Sequence, residues 1–280
     1  MTNWLGSDDV WPTPLSFVSP AMAQTVQVMT QVGWLEVQTL RGDVTIQASA
    51  PRAARVGDRL TKTGDTLTTG PSSATLLEID NRIGTIQVAE NSRLQVRKLG
   101  TLRNGGWVTT LDLVRGQARL RVDKRILPKN SIFEVHSPAG VAGVRGTEFG
   151  VMVNSQNRMV VGTEGGLVEA SAQGTTVTLK PELGSALFPQ EPPLPPLPLD
   201  RELKLELEEV DYRNKLLWVS GRIYPLNTIF ANGLELAVDK SGRFEQLMPL
   251  PSEGRLALKV ANSVGDGQGY LLMGLDRQVE

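Results

Sequence analysis

Across residues 117–123, Ala118, Leu120 and Val122 alternate with Gln117, Arg119, Arg121 and Asp123. A period of two fits a strand with one apolar face. It excludes an amphipathic helix, whose apolar residues would recur every three or four positions. The same rhythm returns in short runs along the chain. Leu111 and Leu113 share a face, and 34–37, 44–46, 75–79, 83–88, 94–99, 159–161, 167–170 and 176–179 read as further strands. Asn81-Arg82, Asn91-Ser92 and Asn104-Gly105-Gly106 mark turns between them. Arg41-Gly42-Asp43 lies between two strand patterns and reads as a hairpin turn, not an adhesion motif, because Gly and Asp suit turn backbones. A Gly-Asp-x-Leu unit begins at Gly57 and again at Gly64, which is one turn plus one short strand repeated, as a coiled β-structure would show.

Composition removes several function classes. The chain has 280 residues, 40% hydrophobic and 21% charged, so it is globular, and two domains are a reasonable expectation. A net charge of −1 gives no overall field to draw in nucleic acid. With no Cys there are no disulfides, thiolate nucleophiles or Cys-bound zinc, and a lone His136 excludes a multi-His metal site. No window is apolar for long enough to predict a membrane span. No cofactor and no metal are expected.

The most specific stretch is 136–153, His-Ser-Pro-Ala-Gly-Val-Ala-Gly-Val-Arg-Gly-Thr-Glu-Phe-Gly-Val-Met-Val. Pro138 and Gly140 predict a turn. From Thr147 on, Glu148 points out while Phe149, Val151 and Val153 point in. Gly143 and Gly146 bracket Val144-Arg145, so the segment reads as a tight crossing connection with Arg145 in its middle. The run 137–149 resembles the signature of the FecR domain family, a Val-Arg-Gly-Thr-x-Phe core after a Thr/Ser-Pro-x-Gly turn. The likeness extends more loosely over 33–170, including 57–60, 64–70 and the turn at 164–168. The resemblance implies an extracytoplasmic, all-β domain with a solenoid-like, rolled stack of short strands. In founding members such a domain follows a cytoplasmic sigma-factor-regulating segment and a membrane span, and receives a signal from an outer-membrane receptor. Neither preceding part is read here, so only the sensing half is expected.

Residues 189–199 hold six prolines and predict a semi-rigid polyproline spacer. Beyond it, Leu203, Leu205 and Leu207 alternate with charges. The run 217–223, the turn Asn232-Gly233, the strand-turn-strand pattern of 238–244, and alternating Leu256, Leu258 and Val260 predict a β-sandwich. This order resembles the immunoglobulin-like modules of bacterial envelope proteins over most of 216–272. The expected organisation is 1–25 leader, 26–188 FecR-type β domain, 189–200 proline-rich linker, and 201–280 immunoglobulin-like sandwich. The leader is either the tail of an export signal, with cleavage after Ala23 at Ala21-x-Ala23, or a disordered segment.

Catalytic patterns are missing. His136 and Ser137 are neighbours on a strand and point to opposite faces. Gly162-Thr163-Glu164-Gly165-Gly166 lacks the Lys-Ser/Thr and helix of a phosphate loop, and Gly265-Asp266-Gly267-Gln268-Gly269 opens no helix. Two groups remain as interaction candidates. One is the signature Arg145, Gly146, Thr147, Glu148 and Phe149, in which Arg145 serves either to satisfy carbonyls in the crossing connection or to recognise a partner. The other is a basic run, 93–129, with ten Lys or Arg against Asp112 and Asp123. Its Arg115, Arg119, Arg121, Lys124 and Arg125 form either a solvated polar face or a surface for an acidic partner. The expectation is a non-catalytic, periplasmic or extracellular binding and signal-relay protein whose partner is an envelope protein. The alternative is a structural envelope scaffold binding cell-wall glycan or another anionic polymer.

Overall fold

The computed structural model describes residues 29–48, 50–144, 146–213, 216–249 and 254–273, and these are all-β apart from one 3-10 turn at Asp80–Arg82. The expected leader, 1–25, lies outside the described residues. The first strands are β1 (Met29–Val32), β2 (Leu35–Arg41), β3 (Val44–Gln47), β4 (Pro51–Ala53), β5 (Arg59–Leu60), β6 (Thr66–Thr69), β7 (Ala74–Ile79), β8 (Gly84–Val88), β9 (Arg93–Leu102) and β10 (Trp107–Val122). Then come β11 (Ile132–Ser137), β12 (Gly140–Val144), β13 (Glu148–Val153), β14 (Met159–Gly165), β15 (Val168–Ala172), β16 (Thr175–Leu179), β17 (Leu183–Leu187) and β18 (Leu197–Pro198).

The chain lays these strands alternately into two layers. One sheet runs β4-β3-β6-β9-β10-β11-β12-β15-β16, with β1 beside the end of β9. The other runs β5-β2-β7-β8-β10-β13-β14-β17-β18. Every pairing is antiparallel except β10 with β11. Strand β10, 16 residues long, belongs to both layers. Up to Arg115 it pairs with β9, and from Gly116 it pairs with β13. The changeover at Gly116 uses a φ of +86°, which L side chains resist. Its backbone lies against Ser92, whose Oγ accepts the Gln117 N–H at 2.9 Å.

The core forms where the inward faces of the two layers meet. Leu35, Leu77, Ile86, Leu120, Phe149 and Val151 come from one sheet and Ile46, Leu67, Leu94, Leu111, Val135 and Ala170 from the other, all essentially inaccessible. Each such Leu, Ile, Val or Phe contributes about 1.5–3 kcal/mol through burial.

Three expectations are corrected by the pairing. Strands β2 and β3 do not pair, so 41–43 is a corner that carries the chain from one sheet to the other, not a hairpin turn. The stretch 136–144 is a hairpin of β11 and β12 around Pro138-Ala139, and the chain changes layers only between the end of β12 and the start of β13. The proline run is not a spacer standing clear of the domain. It lies along the second sheet, where the Leu194 N–H donates to Ala186 O at 2.9 Å, the Leu199 N–H donates to Glu182 O at 2.8 Å, and β18 pairs with β17.

The C-terminal part holds β19 (Leu205–Arg213), β20 (Leu216–Ile223), β21 (Thr228–Ala231), β22 (Leu234–Glu235), β23 (Arg243–Pro249), β24 (Leu256–Ala261) and β25 (Gly267–Leu272). They form two sheets, β19-β20-β23 and β22-β21-β24-β25, around Leu217, Val219, Ile229, Phe244, Leu258 and Val260. The turn at Asn232-Gly233 joins β21 and β22 as expected. Of 238–244 only the part from Arg243 is a strand, because Asp239 Oδ1 accepts the Ser241 and Arg243 N–H groups and holds a turn.

Candidate functional site

Gly146, between β12 and β13, borders a groove of about 430 Å³ on the outer side of the first sheet. Glu134, Gly143 and Glu169 form one register row across β11, β12 and β15. Gly143 lacks a side chain there, so the backbone between the two carboxylates is bare. Val144, Leu167 and Lys124 line the groove beside them, and Leu167 is 54% exposed. Gly146 has a φ of +72°, and a Cβ on it would fall 2.0 Å from Lys124 Cβ. The signature glycine is therefore required both by backbone sign and by the loop that carries Lys124.

The signature residues separate by role. Phe149 is a core residue, and Thr147 is buried with its carbonyl accepting the Val122 N–H at 2.9 Å. Glu148 lies on the outer side of the second sheet, where Arg119 donates at 2.9 Å and Arg121 at 3.1 Å. Arg145 lies outside the described residues. His136 and Ser137 are not brought together. His136 Nε2 meets Glu134 Oε2 at 2.8 Å, while Ser137 Oγ accepts the Ala139 N–H in the turn. The His136 contact holds the Glu134 carboxyl below its usual range.

The basic run does not make one cationic face. Arg97 is bidentate to Asp112, and Arg125 is bidentate to Asp123, whose carboxyl that contact pulls down to about 2. Arg119 is shared between Glu148 and Glu164. Lys124 stands at the groove, and Arg115 sits opposite Arg93 before the changeover in β10.

Sequence reasoning missed the buried contacts between the two modules. Arg158, at the start of the β14 side of the β13–β14 turn, is 3% exposed. Its guanidinium donates to Asn227 O at 3.1 Å and to Pro225 O in the C-terminal module. Burial lowers its pKa to about 10, so it stays charged at neutral pH. The carboxyl of Glu235 in β22 is pushed up to about 7, also by burial, against the opposing pull of Arg158. Gln117 Nε2 donates to the carbonyls of Asn262 and Ser263, both at 3.0 Å. Gly150 and Gly162 leave room for Ser263 and Val264; a Cβ on Gly150 would lie 1.9 Å from Ser263 O. At the rim, Arg201 meets Glu164, Glu182 and Asp266. An apolar cluster of Val160, Ala186 and Leu226 with Phe188, Leu194 and Leu197 closes the joint through the proline run. The legible signal was small residues, Gly150 and Gly162, at outward positions of paired strands.

Residues 65–169 match the model of the family described as FecR protein, so the chain carries a FecR family domain there. Two solved structures of a protein from Parabacteroides distasonis, provisionally described as an anti-sigma factor, are similar to this chain. One is 14% identical with a TM-score of 0.41 and the other 13% identical with a TM-score of 0.40, and each covers 48% of this chain. The chain spans 60% of the length of those structures, and at such TM-scores the likeness carries no functional weight. No curated protein matches. Among the described residues no helix is long and apolar enough to cross a membrane.

Proposed function

We propose that this protein is a non-catalytic binding and signal-relay protein acting outside the cytoplasm, with its FecR-type domain as the sensing part and an envelope protein as its partner. The match of 65–169 to the FecR model carries this reading. The groove beside Gly146 is where a partner is read. It is lined by backbone of Gly143, Gly146 and Gly166 and by side chains of both polarities, which suits a peptide-like surface. We assign the first module to the rolled, solenoid-like FecR type and the second to the immunoglobulin-like type. The anionic-polymer reading of the basic run is the weaker one, because Arg97, Arg119, Arg121 and Arg125 already face carboxylates of this chain.

A photo-crosslinking amino acid at Leu167, introduced in the native host, tests the proposal. The expected result is capture of one discrete extracytoplasmic protein, lost when Glu169→Lys or Gly143→Leu fills the groove. Recovery of the protein from the cytosol, or crosslinks only to wall polymer, would overturn it.

A further inference from the structure

Strands β13, β14 and β17 carry two register rows on their outer side, Gly150-Gly162-Gly184 and Met152-Val160-Ala186. The second module lies on the first row directly. A Cβ on Gly162 would fall 2.6 Å from Ser263 Oγ, and one on Gly184 would fall 2.8 Å from Leu226 Cδ1. Met152, Val160 and Ala186 are buried as well. The tip of the β13–β14 hairpin is gripped from two sides. The Tyr224–Asn227 turn receives Arg158, and β22 sets Glu235 against the Ser155 N–H.

That grip holds a carboxyl short of partners. Glu235 Oε1 is withdrawn from solvent and has no hydrogen-bond partner among the described residues, and the same holds for Arg158 Nε. The two groups share the joint without pairing, because the Arg158 guanidinium is turned onto the carbonyls of Asn227 and Pro225. The other charges around them are engaged elsewhere. Lys240 meets Glu191, Asp239 accepts the Ser241 and Arg243 N–H groups of its own turn, and Asp200 accepts Asn227 Nδ2 at 2.6 Å. The lone His136 is on the other sheet, beside Glu134. A neutral carboxyl tolerates such a place far better than an ionised one, whose buried oxygens need partners. Opening the joint returns the group to water, so ionisation and opening are linked. Burial pushes this carboxyl up to about 7, which puts the link near neutrality.

We propose that the second module is a proton-latched cap, closed while the Glu235 carboxyl is neutral and released as it ionises, so that rising pH uncovers the outer face of β13, β14 and β17. The molecule then reports the pH around it through the separation of its modules. Its use as a sensor of the surroundings rests on the extracytoplasmic reading above. The latch itself does not, and purified protein tests it alone.

The chain has no Cys, so one introduced thiol reports by itself. Met152→Cys places a thiol under the cap, and Val135→Cys places one in the core of the first module. Each full-length variant is treated with an aromatic disulfide that labels thiols at acid as well as neutral pH. The labelling rate is divided into that of a free thiol peptide at the same pH, which gives a protection that measures how rarely the site opens. For a carboxyl moved from 4.5 to about 7, protection of Met152→Cys should fall about 70-fold from pH 5 to pH 8. Protection of Val135→Cys should be higher throughout and should not follow that fall. Adding Glu235→Gln should keep Met152→Cys equally protected across the range. Protection of Met152→Cys that stays constant or rises with pH, or that falls as far with Glu235→Gln present, would overturn the proposal. An equal fall in Val135→Cys would overturn it too, since the first module would then be unfolding and not merely uncapped.

Discussion

Arg158 illustrates how much one residue decides. Its guanidinium has left water, and its contacts with the second module are carbonyls, Asn227 O and Pro225 O. Truncation to Ala strands those carbonyls in a buried joint, and hydrogen bonds to charged groups are worth about 1.5–3 kcal/mol each. Arg158→Ala should therefore split one thermal unfolding transition into two, with the first module's own transition little changed. Differential scanning calorimetry reads this directly; a single unsplit transition at the wild-type temperature would show that Arg158 does not hold the joint. Glu235 makes the same joint sensitive to pH. Its folded pKa of about 7 lies above the ordinary 4.5, so the docked state binds more protons than the undocked one between those values. Stability from this group is fully present below about 4.5 and is lost as pH rises through about 7. The groups facing it are Arg158, which remains charged throughout, and the Ser155 N–H, with Asp239 acting on Arg158. The transition that reports docking should fall in temperature from pH 5 to pH 8, and Glu235→Gln should flatten that slope.

Elements were legible in the sequence where alternation was clean, and less so where a strand changes company. The inward set of β13, Phe149, Val151 and Val153, follows from period two alone, and all three are in the core. What alternation cannot show is that Gly150 and Met152, on the other side of β13, are buried too, because the second module covers that face. The division of β10 between two sheets left a trace that sequence reasoning did not use. Its inward residues move from odd positions, Leu111 and Leu113, to even ones, Ala118, Leu120 and Val122, across Gly116, and that change of phase marks the switch. The corner at 41–43 was misread for the related reason that a turn motif specifies a local bend and not which strand comes next to which. The candidate groove was legible only through the spacing of Gly143 and Gly146, since its remaining walls come from β11 and β15, distant in sequence. Gly150 gives the element-scale prediction. Gly150→Leu should push the Ser263 turn off β13 and raise the maximum dimension in small-angle scattering, while the side chain points away from the first core and leaves it folded. Gly165→Ala, whose Cβ would meet nothing within 4 Å, is the control and should change neither. Equal scattering from wild type and Gly150→Leu would mean that the module does not rest on β13 in solution.

At the scale of the whole molecule, the question is what keeps the two modules together, and sequence charge suggested one answer while the packing gives another. Residues 182–211 hold eight carboxylates against Arg201 and Lys204 and look complementary to the basic run 93–129, yet the two runs connect through intermediaries. Arg119 reaches Glu164, and Glu164 reaches Arg201, a cation inside the acidic run, which in turn meets Glu182 and Asp266. Arg201 is 39% exposed and its partners Glu182 and Asp266 are more so, which places these pairs in the range of about 0–1 kcal/mol each and within reach of salt. The joint beneath them is of a different kind. It holds the buried Arg158, the Gln117 bonds to 262–263, and Val160, Ala186 and Leu226 packed with side chains of the proline run. Apolar burial does not weaken as ionic strength rises in this range, so docking should survive it. Small-angle scattering from about 0.05 to about 0.5 M salt should show a constant maximum dimension, and Arg201→Glu should leave that dimension unchanged at both ends. Limited proteolysis should likewise spare 189–200 in the wild type, because its backbone is bonded to β17, and should cut there once Arg158→Ala has loosened the joint. Growth of the molecule with salt, or cleavage of the proline run in the intact protein, would mean that the ion pairs at the rim and not the buried joint hold the modules closed.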